Sequence, residues 1–343
     1  MQTYFSDLRL WLDHLEIGLR TARGADAAAL ELEAAREVGE STNPTITTLF
    51  EKFEQAAEGL GEESQPSHQL FARRQLHPLL LGSPFLHRCY TKPLGFAGDY
   101  EMVNMMLRNP CEGASLFAKV VNVWFLAQPP AEAHRNRIGH LTQQLLNTAL
   151  RGMREKRTAR AISVGCGPAQ EVQRFIAGHD VGGALEMTML DFNEETLAYT
   201  RGVMDNLKRR HGRAVNLEYI KKSVAQLIKE SGKAAGTSAF AGKFDFVYCA
   251  GLFDYLPGQV CQRLMDLMHD WVAPGGMLLA TNVASCNPRR LTMDHVMAWH
   301  LIYRTGAELA ALKPLAAAPE DCRTFADGTG VNIFLEVAKH SRG

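Results

Sequence analysis

Two glycines, Gly165 and Gly167, follow the apolar run Ala161–Val164 and lead into Pro168-Ala169-Gln170-Glu171. A strand that passes through a glycine turn into a helix brings a ligand against bare backbone. Gly165 permits the tight turn, and Gly167 leaves no Cβ in the ligand's way. The dinucleotide-binding fingerprint has a third glycine, which lets helix and strand close on a pyrophosphate; that position here is Gln170. A side chain there disfavours NAD or FAD and suits a ligand without phosphates. Asp191 ends the next apolar run, Met187–Leu190, where a carboxylate can accept both hydroxyls of a ribose. An acid in that place is often only a helix cap, but Asn193 can do the capping and leave Asp191 to the ligand. The two motifs together favour a nucleoside site over a plain turn.

A second group of residues has side chains able to move protons or hold an acceptor. Asp254 and Tyr255 follow the run Phe244–Cys249. The stretch Asn287–Arg304 reads as an inserted helix, on which His295, Trp299 and Ile302 or Tyr303 share one face at spacings of three and four. That face offers an apolar wall with His295 as base or hydrogen-bond donor, and Arg289 and Arg290 at its start can hold a carboxylate. An ordinary amphipathic helix with solvated or core histidines is the competing reading. In His134-Arg135-Asn136-Arg137, either arginine can pair with a ligand carboxylate, or both can lie on a solvated face. His134 with His140 and His77 with His87 lack metal-ligand spacing, and the seven scattered cysteines show no close pair, so no metal site and reduced thiols are expected.

The elements that must position these residues follow from periodicity. Short apolar runs at Ala161–Val164, Met187–Leu190, Leu217–Ile220, Phe244–Cys249, Met277–Thr281 and Val331–Val337 alternate with helical stretches, the pattern of parallel βαβ units. The last run is expected at an edge or antiparallel. Residues 1–150 read as a helical domain and 151–343 as the α/β domain. Within the first, Ser41-Thr42-Asn43-Pro44 is expected to end one helix and start another over Ile46–Ala57. Lysine plus arginine and aspartate plus glutamate balance at 37 each, which leaves no electrostatic footprint for nucleic acid. Neither an uncharged leader nor an ~18-residue apolar stretch is present, so a cytoplasmic protein without integral membrane segment is expected.

Over about Arg160–Lys339 the chain resembles the class I S-adenosylmethionine-dependent methyltransferases. The matching residues are Val164-Gly165-Cys166-Gly167-Pro168, Leu190-Asp191, Phe244–Cys249 and Trp271-Val272-Ala273-Pro274-Gly275-Gly276-Met277-Leu278. The resemblance implies a Rossmann-like, seven-stranded, mostly parallel sheet beside the helical N-terminal domain, with S-adenosyl-L-methionine as cofactor. It implies cofactor contacts at Gly165, Cys166, Gly167, Asp191, Phe192, Ser223, Val224, Cys249, Ala250 and Gly251. Tyr255, Asp254 and His295 become the catalytic candidates, and Phe253, Arg289, Trp299 and Tyr303 the acceptor-binding ones. One departure matters. Many members carry an acid after the third strand for the adenine amino group, whereas this chain has Ile220-Lys221-Lys222-Ser223-Val224, leaving a hydroxyl and a backbone amide for that task.

Tyr90–Asn104, with Lys92, Gly98, Asp99 and Tyr100, resembles a segment of bacterial methyltransferases that esterify 3-hydroxy fatty acids to make quorum-sensing methyl esters. That likeness implies a lid at about 90–104 with Tyr90, Gly98, Asp99 and Tyr100 as cofactor contacts; Arg135, from the His134–Arg137 run, is a further candidate to meet the cofactor. A loop packing two helices is the alternative. The function expected is methylation of a small molecule, with a 3-hydroxy fatty acid carboxylate as the leading acceptor and a different small metabolite the alternative. A homodimer through the helical domain is compatible with its amphipathic faces. A nicotinamide-dependent oxidoreductase is disfavoured by Gln170 and by the lack of a Tyr-x-x-x-Lys pair; a non-catalytic nucleoside-binding protein is the third class.

Overall fold

The computed structural model describes residues 1–21, 27–108, 110–233 and 239–340. The chain forms two compact units: residues 1–132 with 287–300, and residues 133–286 with 301–343.

The first unit is helical. Its elements are α1 (Gln2–Thr21), α2 (Ala27–Glu58), α3 (Gln65–Leu80), α4 (Pro84–Thr91), α5 (Tyr100–Leu107) and α6 (Leu116–Leu126). The core is aromatic: Phe50 stacks on Trp124 at 4.2 Å and meets Phe5 and Phe125 edge-on. Trp124 donates its indole N–H to Thr47 Oγ1 at 3.1 Å, which satisfies the polar end of an otherwise buried ring. Pro44 lies inside α2 and does not start a helix. The turn before it holds together because the Ser41 and Thr42 hydroxyls fold back onto the Val38 carbonyl. The expected helix break at Ser41–Pro44 is therefore absent, and one helix runs through.

The second unit takes in most of α7 (Pro129–Arg154) and then alternates: β1 (Ala159–Val164), α8 (Gln170–Gly178), β2 (Leu185–Asp191), α9 (Glu194–His211), β3 (Asn216–Lys221), α10 (Val224–Lys233), β4 (Phe244–Cys249), α11 (Gly258–Trp271) and β5 (Val272–Val283). After β5 the chain gives α12 (Arg290–His295) to the first unit, then returns for α13 (Gly306–Ala310), β6 (Cys322–Ala326) and β7 (Asn332–Ala338). The sheet order is β3-β2-β1-β4-β5-β7-β6, parallel from β3 to β5, with β7 antiparallel to both neighbours. This is a Rossmann-like α/β fold, with seven strands as expected. Central strands buried on both faces read as continuous apolar runs, and every residue of β4 is buried.

Three local differences from the sequence reading have physical causes. The last strand is antiparallel but interior; the edge is β6, a five-residue strand whose half-exposed residues give little signal. Pro274-Gly275-Gly276 is a bulge within β5, where the register against β4 slips between Phe244 and Phe246. A Cβ at Gly276 would sit 2.7 Å from Val272 Cγ1 and 2.9 Å from the Asp245 carbonyl, so only glycine fits. The helix expected to carry His295, Trp299 and Tyr303 on one face ends at His295. Ala298 has φ +51°, a left-handed turn that breaks the helical path, so the three residues share no helical face.

Candidate functional site

The strand order reverses direction at β1, whose neighbours β2 and β4 lead to opposite halves of the sheet. In doubly wound sheets a ligand is received at the carboxyl ends of the strands at such a point. Three loops meet there in the second unit: Gly165–Ala169 after β1, Asp191–Asn193 after β2 and Ala250–Asp254 after β4.

The first loop turns on left-handed backbone at Gly165 (φ +70°), Gly167 (φ +53°) and Ala169 (φ +48°). The Gly165 and Cys166 amides both donate to the Leu190 carbonyl, at 2.8 and 3.0 Å, which pins the loop to the end of β2. A Cβ at Gly167 would meet no protein atom within 4 Å. The glycine therefore faces open space, as a backbone prepared for a ligand does. Among the described residues no side chain caps the start of α8, so the positive end of that helix dipole favours a negative group nearby.

Asp191 ends β2 as expected, and Asn193 caps α9 through the Thr196 amide at 2.9 Å. Asp191 Oδ2 accepts from the Gly167 amide and Oδ1 from the Asn193 amide, both at 3.0 Å. Burial raises its pKa, and those backbone donors pull it back. Each oxygen has a second lone-pair direction for a ribose hydroxyl. Phe192 beside it is 51% exposed, enough ring for a base to lie against.

The loop after β4 is held from several sides. The Gly251 amide donates to Thr281 Oγ1 at 3.1 Å. Arg304 donates to the Phe253 carbonyl at 2.8 Å and the Leu256 carbonyl at 2.7 Å. Asp254 Oδ1 accepts from the Val283 amide at 2.6 Å, and the Asp254 carbonyl accepts from Ile302 at 2.7 Å. Asp254 is buried, and burial pushes its pKa up to about 6 against the pull of the Val283 amide and of Arg137 and Arg304. Tyr255 is 37% exposed, whereas Phe253 and Cys249 are fully buried in the core.

Arg137 was named in the sequence only beside Arg135; the structure sets it against the loop after β4. A Cβ at Gly251 (φ +94°) would lie 3.2 Å from both Arg137 terminal nitrogens, so the guanidinium stands flat against that loop. Its Nη2 donates to His134 Nδ1 at 2.7 Å. The His134 pKa is held well below normal by burial and by Arg137, Arg135 and Arg174, so the ring is neutral and accepts. Burial lowers the Arg137 pKa, and Asp254 and Glu171 oppose that shift. Neither carboxylate is bonded to the guanidinium: Glu171 Oε1 accepts from the Tyr248 hydroxyl at 2.7 Å, and burial raises its pKa. A half-buried cation whose hydrogen bond goes to a neutral ring is prepared for an incoming anion. Glu171 and Tyr248 gave no sequence signal as a pair, because 77 residues separate them.

Other expected residues have visible local duties. Ser223 spends its amide on Gln226 Oε1 (2.8 Å) and its hydroxyl on the Gln226 amide (3.3 Å), a reciprocal cap of α10 at whose first position Val224 stands. In the first unit Asp99 is 1% exposed, accepts from Arg88 Nε at 2.8 and 3.0 Å, and caps α5 through the Met102 amide. Tyr90 packs edge-on to His77 at 4.3 Å, and Gly98 and Tyr100 flank Asp99. Arg289 is buried, donates to Gln128 Oε1 at 2.8 Å and lies over the Trp124 ring. His295 and Trp299 are buried in the same unit; Tyr303 belongs to the second. Among the described residues no cluster of three or more His, Cys, Asp or Glu is arranged to hold a metal, and no helix is long and apolar enough to cross a membrane.

No family profile and no curated protein matches the chain. Solved structures do resemble it. A possible exported protein from Bordetella parapertussis is 17% identical, with a TM-score of 0.55 over 82% of this chain and 100% of that one; the likeness is one of fold. Magnesium protoporphyrin IX methyltransferase from Synechocystis PCC 6803, solved with bound SAH, aligns at 10% identity over 61% of this chain and 84% of that one, TM-score 0.42. The N-methyltransferase NodS from Bradyrhizobium japonicum WM9, in complex with S-adenosyl-L-homocysteine, aligns at 14% identity over 71% and 98%, TM-score 0.39.

Proposed function

We propose that the protein is an enzyme, an S-adenosyl-L-methionine-dependent methyltransferase of small molecules. The observation that carries the reading is the set of three loops at the β1 switch point. Gly167 presents open backbone, Asp191 presents a carboxylate two residues ahead of the Asn193 cap, and Arg137 presents a cation without a bonded counter-charge among the described residues. These fit the three ends of one ligand. The ribose hydroxyls go to Asp191, the adenine to the face of Phe192, and the amino-acid carboxylate to Arg137 and the uncapped start of α8. The bound cofactor supplies an electrophilic methyl group on a sulfonium. The protein's own part is to orient the acceptor and keep water away. Asp254, buried behind the β4 loop and bonded to Val283, shapes that loop; Tyr255, next to it and half-exposed, is the nearer candidate for touching an acceptor.

The acceptor we propose carries a carboxylate, with a 3-hydroxy fatty acid first in line. The resemblance of Tyr90–Asn104 to the methyl ester synthases supports that choice, as does the balanced charge. A carboxylate acceptor needs no base, in keeping with a site whose two buried acids, Asp254 and Glu171, are already hydrogen-bonded. Calorimetry with S-adenosylhomocysteine against NAD tests the cofactor; NAD binding without S-adenosylhomocysteine binding would defeat the reading. Transfer of a radiolabelled methyl group to a panel of fatty acids, hydroxy acids, amines and RNA tests the acceptor. Label only in amines or RNA would overturn the acyl choice and leave the methyltransferase standing.

A further inference from the structure

The first unit holds an open pocket of about 490 Å³, walled mainly by apolar side chains such as Phe53 and Leu76, with Gln2, His68, Gln75 and His295 as its polar ones. That volume falls within the ~300–1,000 Å³ range of small-molecule pockets, and an apolar wall with a few polar groups is the usual composition.

His295 is 1% exposed, and its surroundings fix both its place and its tautomer. Arg73 donates to the His295 and Asp294 carbonyls at 2.8 and 3.0 Å, and His77 Nε2 lies 2.8 Å from the Val296 carbonyl. The Glu54 carboxylate accepts from the Leu291 and Thr292 amides at 2.9 and 2.7 Å, holding the other end of α12. Phe53 meets the imidazole edge-on at 5.9 Å. Nδ1 is 3.1 Å from the Leu291 carbonyl, an acceptor, so Nδ1 carries the proton of the neutral ring. Burial lowers the His295 pKa; the Leu291 carbonyl and Asp294 oppose this, while Arg73 and His68 add to it. Nε2 is therefore a lone pair, buried and, among the described residues, without a hydrogen-bond partner. An acceptor left that way is costly unless something supplies a donor.

We propose that this cavity binds a neutral, elongated apolar molecule bearing a hydroxyl group, such as a medium-chain alcohol, whose O–H donates to His295 Nε2. The apolar wall takes the chain. The lone pair selects a donor over a carboxylate, which would bring a second acceptor to an acceptor. Nε2 is itself covered, so the hydroxyl reaches it only when the pocket wall yields beside His295. The inference concerns the helical unit alone and does not rest on the methyltransferase reading.

The test is titration calorimetry on the full chain with decan-1-ol, nonyl methyl ether and decanoate at neutral pH. The alcohol should bind about tenfold more tightly than the ether, the scale of one neutral hydrogen bond, and decanoate more weakly than the alcohol. His295→Phe should remove the preference for alcohol over ether while ether binding persists. Ala56→Trp, at the exposed rim, should weaken all three ligands together. Equal affinity of wild type for alcohol and ether, tighter binding of decanoate, or no binding at all would overturn the proposal. If His295→Phe does not fold, the wild-type comparison and the rim variant still decide it.

Discussion

The Asp191 carboxylate reaches from the end of β2 to the Gly167 amide, 3.0 Å away, and ties the loops after β1 and β2 to each other. Its other oxygen holds the Asn193 amide, so one buried side chain organises the glycine turn and the start of α9 together. Asp191→Ala should consequently do two things. Leaving two backbone donors unpaired should lower unfolding free energy by about 1–3 kcal/mol, and S-adenosylhomocysteine affinity should fall by a similar ~1–3 kcal/mol. Urea denaturation and calorimetry measure the two effects separately. Lost stability with unchanged affinity would make Asp191 a loop brace only.

Arg137 and Gly251 should behave as a pair. Arg137→Ala is expected to weaken S-adenosylhomocysteine binding by about 2–3 kcal/mol, the scale of charged hydrogen bonds, with little change for adenosine, which lacks the carboxylate. Gly251→Ala places a Cβ 3.2 Å from the guanidinium nitrogens at φ +94°, so it should displace the same cation. The left-handed backbone should add roughly 1–2 kcal/mol of destabilisation. Equal losses for adenosine and S-adenosylhomocysteine would show that Arg137 does not meet the carboxylate.

Asp254 should make stability fall as pH rises. Its folded pKa of about 6 lies above the ordinary carboxylate value, so the folded state holds this proton more tightly than the unfolded chain. The associated stability is fully present below pH ~4 and is lost as pH passes through about 6. Asp254→Asn keeps an oxygen for the Val283 amide but cannot ionise. Relative to wild type it should gain about 2–3 kcal/mol between pH 4 and 7.5. Parallel urea melts across that range check this; a flat difference would mean that the carboxyl ionises freely in the fold.

Glu54 should matter more than an acid on a helix surface usually does. Its carboxylate accepts from the Leu291 and Thr292 amides and from the Thr292 hydroxyl, and so caps α12 from another helix. Glu54→Ala should destabilise the protein by about 2–4 kcal/mol, more than a single ~1 kcal/mol cap, because three donors lose a charged partner. Glu54→Gln, which keeps one acceptor oxygen, should recover part of that in thermal unfolding.

Features written in neighbouring residues were legible without the fold. The Gly165–Gly167 turn, Asp191 at a strand end and Asn193 as the cap of α9 are local geometry, set by backbone sterics and by side chains that reach their own chain. The alternation of apolar runs with helical stretches named six strands and the α/β class, because a parallel sheet buried on both faces needs continuous apolar strands. Tertiary contacts decided the rest. The stretch 294–303 has helical spacing, yet Arg73, His77 and Lys92 take the carbonyls of Asp294, His295, Val296 and Ala298, and the chain leaves the helix through a left-handed alanine. The place of Arg137 rests on Gly251, 114 residues away, whose bare backbone leaves room for the guanidinium. Residues 287–300 join the helical unit, though α/β residues flank them on both sides; there Glu54 accepts from their backbone amides and Arg73 donates to their carbonyls. Periodicity reports which face of an element is apolar; which distant donor or acceptor will meet its polar atoms is settled only when the chain has folded.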